Sequence, residues 1–171
     1  MAKGFGQLIF IIIAIIFELS VLSLLYPLNQ IRLVLVIALI IALSDYKKAL
    51  FWVFLGGLIL DTCSVLPFSS ITLSLFVAVT IIFILARNTF TSGSLYAVIA
   101  LGIIGIVIYN LSLILLVHIF YLLKITDFQI QFHTLYSQDM FWQILLNTTL
   151  MVGIFWLRKR IKKRPEGAVL K

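Results

Sequence analysis

Six apolar stretches separated by short polar connections constrain this chain more than any motif does. They run from Leu8 to Tyr26, Leu28 to Ser44, Ala49 to Leu66, Ile71 to Ala86, Leu95 to Leu123 and Met140 to Leu157. About 20 apolar residues in a helix cross a ~30 Å hydrocarbon core. With 63% apolar and 11% charged residues, the chain also has too little polar surface to cover a soluble globule. The expected fold is an all-α integral membrane protein: one six-helix transmembrane bundle, followed by a basic cytoplasmic tail over 158–171. The first stretch continues past Glu18 without a small-x-small cleavage site, so it reads as a retained helix. The fifth, roughly 43 Å long as a helix, must tilt, bend near Gly102 and Gly105, or project beyond the lipid.

Charge sets the expected orientation. The net charge is +7, but seven of the thirteen basic residues follow the last stretch. That placement marks a topology signal and a contact with anionic lipids, not a nucleic-acid surface. With six spans, Lys3, Lys47, Lys48, Arg87 and those seven fall on one side, and only Arg32 and Lys124 on the other. The basic side is cytoplasmic, with both termini on it. One cysteine, Cys63, allows neither an internal disulfide nor a cysteine metal cluster. There is no Walker-type phosphate loop, HExxH or G-x-S-x-G, so no enzyme, metal or cofactor is expected.

The most informative stretch is GGLILDTCSVLPFSS, residues 56–70. Gly56 and Gly57 let a neighbouring helix backbone come close. Asp61, four residues after Gly57, shares that face and points into the seam. Pro67 stops the helix. An acid at membrane depth is a functional-site candidate because an unpaired charge there costs several kcal/mol. Counting back from each outer end at 1.5 Å per residue puts Asp61, Arg32 and His118 about 6–8 Å deep and Glu18 about 12 Å. Asn147 lies near that level, with Tyr109 and Asn110 deeper. The expectation is one outer polar layer with Arg32–Asp61 as its first-choice ion pair. Two readings stay open: polar ties between helices, or a pocket open to the outside. The connection from Lys124 to Asp139 contains FQIQFH, whose alternation suits a strand or an extended segment lying on the membrane surface.

The segment GGLILDTCSVLPFSS also resembles the rod shape-determining protein MreD family. Gly57, Leu58 and Asp61 match that family's G-L-x-x-D, followed by a small-residue and proline turn. Phe68, Ser69 and Ser70 stand where the family often has glycine after the proline. The six-span plan with a basic cytoplasmic end extends the likeness along the chain. The resemblance implies a bacterial inner-membrane, non-catalytic scaffold of cell elongation that regulates cell shape and peptidoglycan synthesis. Its partners would be an MreC-like protein and the MreB filament system, with RodA and a class B penicillin-binding protein reached indirectly. It also implies a bundle similar to the substrate-binding S components of energy-coupling-factor vitamin transporters.

That second likeness supplies the alternative function, capture of a small solute in the outer polar layer. S components typically carry an A-x-x-x-A pair on the first helix, and LIFIIIAIIFELSVLSLLY has none, which favours the scaffold. A membrane-embedded lipid enzyme is the third reading, disfavoured by the missing motifs.

Overall fold

A computed structural model describes residues 2–88, 94–126 and 135–162. These form six helices: α1 (Ala2–Ser20), α2 (Leu33–Ala42), α3 (Tyr46–Cys63), α4 (Ser70–Asn88), α5 (Leu95–Leu122) and α6 (Leu135–Lys162). Single 3₁₀ turns at Leu22–Leu24 and Leu28–Gln30 lie between α1 and α2. There is no strand among the described residues. The FQIQFH segment, Asp127 and the tail beyond Lys162 lie outside them. Three stretches are long and apolar enough to cross a membrane: Ser70–Asn88, Leu95–Leu122 and Gln138–Arg160.

The bundle is built around α2, which touches all five other helices. The reason is in its sequence, LVLVIALIIA, which is apolar on every face. A helix apolar all round is stable only when surrounded, and Val34, Leu35, Val36, Ala38, Leu39, Ile40 and Ala42 are all buried. Around it, α3 lies along α4, α4 along α5 and α5 along α6, while α1 packs on α2 and α3.

The second element differs from its sequence expectation. Helix α2 starts at Leu33, not at Leu28, because Pro27, Asn29 and Gln30 hold an irregular connection through turn hydrogen bonds: Gln30 N–H donates to Pro27 and Ile31 N–H to Leu28. At ten residues α2 is only about 15 Å long, half a hydrocarbon core. Its ends therefore need partners other than bulk water.

Close approach depends on glycine at three points. A Cβ added at Gly56 would sit 2.7 Å from Val34 Cγ1 of α2, and one at Gly57 would sit 2.8 Å from Thr72 Cα of α4. At Gly105 it would meet Leu39 Cδ1 at 2.9 Å. Small residues at these points let neighbouring helices approach closely and pack backbone against side chain.

Candidate functional site

The residues expected to share one polar layer divide into two constellations and one outlier. The first is centred on Asp61, which is buried near the end of α3. Its Oδ1 accepts from Ile71 N–H at 2.9 Å; its Oδ2 accepts from Thr72 N–H at 3.0 Å and from Thr72 Oγ1 at 2.5 Å. These donors form the first turn of α4. Backbone N–H groups there have no partner within the helix, and the helix dipole favours negative charge beside them. Asp61 thus caps the helix after its own, across the Pro67 turn. Ser69, at φ 75° in the left-handed region, closes that turn, and Ser70 Oγ donates to Pro67 O at 2.7 Å.

The second constellation surrounds the amino end of α2. Glu18, buried on α1, accepts from Val34 N–H through Oε2 at 3.2 Å. Its Oε1 lies 3.8 Å from Arg32 Nη1, and the Arg32 side chain is 44% exposed, so its charge reaches the surface of the bundle. Asn147 of α6, fully buried, accepts from Arg32 N–H at 2.8 Å through Oδ1. Its Nδ2 donates to Gln30 O at 3.0 Å and to Gln143 O at 2.7 Å. One side chain therefore holds the irregular connection and the start of α2 to α6.

The expected Arg32–Asp61 pair is corrected by this arrangement. Arg32 faces Glu18, and Asp61 is satisfied by α4. Depth along each helix places groups at one level but not at one azimuth, and a helix amino end neutralises a carboxylate without a cation. His118 is the outlier: it is exposed on α5, on the same side as the exposed Leu111, Leu115 and Leu122. Eleven residues turn a helix just over three full times, so these four share one outward stripe.

Sequence reasoning missed three contributors. Gln143 accepts from Asn110 Nδ2 at 2.9 Å, a buried amide bridge from α6 to α5. Thr72 completes the Asp61 site. Arg158 Nη1 reaches Ile40 O of α2 at 3.5 Å, placing a cation at that helix's negative end. Gln143 and Asn147 stand four apart in an otherwise apolar run, which is the signal for a shared inward polar face. Nothing local distinguishes Arg158 from its basic neighbours. At the α2–α3 turn, Asp45 caps α3 through Lys48 N–H at 3.2 Å and pairs with Lys48 Nζ at 2.8 Å. These contacts hold the exposed Asp45 carboxyl below its ordinary value.

Among the described residues, no three His, Cys, Asp or Glu side chains gather as metal ligands would. Two of the buried acids close hairpins: Glu18 on α1 binds the start of α2, and Asp61 on α3 binds the start of α4, so the two hairpins use the same device. Comparison with family models, with curated proteins and with solved structures returned no match.

Proposed function

We propose that this chain is a non-catalytic membrane scaffold of MreD type, serving the bacterial cell-elongation machinery through an MreC-like partner. The observation that carries this reading is the use of Asp61. The acid of the GGLILD segment is consumed in holding α4, with three donors on its two oxygens. A carboxylate so occupied shapes a surface and is poorly placed to exchange protons or hold a solute. The surface it shapes is apolar. Val65 and Phe68 on the α3–α4 turn are 90% and 63% exposed, and Leu24, Leu25 and Tyr26 on the α1–α2 connection at the same end are also exposed. Exposed apolar side chains gathered at one end fit docking of another membrane protein. In this reading the six helices are six spans with both termini cytoplasmic in the inner membrane, and the MreB system, RodA and a class B penicillin-binding protein are reached through the partner.

The test is co-purification. Membranes of a rod-shaped host should yield an MreC-like single-span protein with the tagged chain, and Val65→Glu with Phe68→Glu should abolish its recovery. Depletion that leaves rod-shaped cells unchanged would refute the morphogenetic role.

One observation favours the solute-capture alternative. Glu18 Oε1 and Asn29 Oδ1 are buried without a hydrogen-bond partner among the described residues, near the half-exposed Arg32. A stoichiometric small molecule released from the purified protein and identified by mass spectrometry would establish that reading in place of the scaffold.

A further inference from the structure

At the end of the bundle opposite the Asp61 turn, a hollow of about 470 Å³ opens between the start of α5 and the end of α6. It is lined by Leu95, Phe155, Trp156, Lys159 and Arg160. Apolar walls stand directly beside two basic side chains. The Arg160 guanidinium lies 5.2 Å from the Trp156 ring centre. That stack orients the guanidinium, and among the described residues nothing takes its N–H edges, which suit an anion. Leu95 is the first residue of α5, so the positive end of a 28-residue helix lies at the same edge. Ser94, its cap residue, makes no side-chain capping bond. Arg158 does not take part, because it is turned to Ile40 O of α2.

We propose that this hollow is a binding site for one anionic phospholipid, with the phosphate between Lys159, Arg160 and the amino end of α5, and the upper acyl chain against Leu95, Phe155 and Trp156. Two features choose a lipid over a free anion. The walls beneath the cations are apolar and would gain nothing from a bare phosphate. The hollow also sits where α6 leaves its apolar stretch, the level at which tryptophan and arginine meet headgroups. The site rests on the membrane-spanning reading of α5 and α6 and is independent of any protein partner, so it stands even if the scaffold role fails.

Native mass spectrometry of the full chain in detergent, supplied with equimolar phosphatidylglycerol and phosphatidylcholine of the same chains, tests the site. The parent should retain one phosphatidylglycerol. Lys159→Gln with Arg160→Gln should lower its retention roughly tenfold or more, since two basic side chains leave the headgroup. Trp156→Ala, which keeps both charges, should also lower it, because the stack and the apolar wall go together. Lys47→Gln with Lys48→Gln removes the same charge from the same end but from residues that do not line the hollow, and should change retention less than about twofold. Equal losses in the two charge variants would reduce the effect to general attraction and overturn the site. So would full retention in Trp156→Ala, or displacement of the lipid by inorganic phosphate alone.

Discussion

Asp61 shows how a buried carboxyl can be satisfied inside a helical bundle by the start of the next helix. Its oxygens receive N–H and O–H donors at the positive end of α4. Asp61→Asn keeps the shape but turns one acceptor into a donor facing another donor. We expect it to cost about 1–3 kcal/mol of stability, the usual penalty for a buried group left unpaired. Asp45→Asn, at an exposed cap, should cost less than about 1 kcal/mol. Thermal unfolding of both variants in the same detergent makes the comparison, and equal shifts would contradict the buried role of Asp61. Glycine is read the same way. A methyl at Gly57 meets the Thr72 backbone, which cannot rotate aside, whereas nothing lies within 4 Å of one at Gly153. Gly57→Ala should destabilise by about 1–3 kcal/mol. Gly153→Ala should be neutral or stabilising by up to about 1 kcal/mol, the helix propensity gained.

At the scale of elements, α2 is the test case, a short apolar helix whose polar ends stay inside the bundle. Its amino end is held by Glu18 and Asn147, and its carboxyl end by Arg158. Asn147 and Arg158 both belong to α6, so that helix brackets α2 along its length. Asn147→Ala leaves Arg32 N–H and Gln30 O unpaired and should cost about 2–4 kcal/mol, up to twice the penalty of one orphaned group. Combined with Glu18→Gln it should be non-additive by at least about 0.5 kcal/mol, because both side chains hold the same helix end. Strict additivity in a denaturation series would show that α2 does not depend on a shared cap. The cap of α3 is pH-sensitive in a defined direction. Asp45 titrates below its ordinary value of 3.8 when folded. Its contribution is therefore complete above that value and fades as pH falls through the lower folded value. Wild type and Asp45→Ala should differ in thermal midpoint at neutral pH and converge in strong acid.

At the scale of the whole molecule, alternation of the six helices puts the Pro27 and Pro67 connections at one end and Asp45, Leu95 and Arg160 at the other. If all six cross the membrane with the basic end inside, a cysteine at the 90%-exposed Val65, in a Cys63→Ser background, is labelled by an impermeant maleimide in intact cells. A cysteine at Lys159 is labelled only after lysis. Labelling at position 159 from outside, or of both positions on one side, would exclude the six-span topology.

An all-helical chain with long apolar spans was legible because composition and hydropathy act locally: a residue carries its preference for lipid wherever it lies. The value of Gly56 and Gly57 as close-contact positions was legible from spacing, since small residues on one face admit a neighbour whatever its identity. Which neighbour arrives was not, and so Asp61 could be placed in a seam but not assigned to α4 in place of Arg32. Sequence spacing gives depth and helical face, whereas partner choice needs the rotation of every helix about its axis. That rotation follows from packing five irregular surfaces at once around α2. The same global fit turned His118 outward, drew Arg158 in toward Ile40, and left Lys159 and Arg160 at the rim of an apolar hollow.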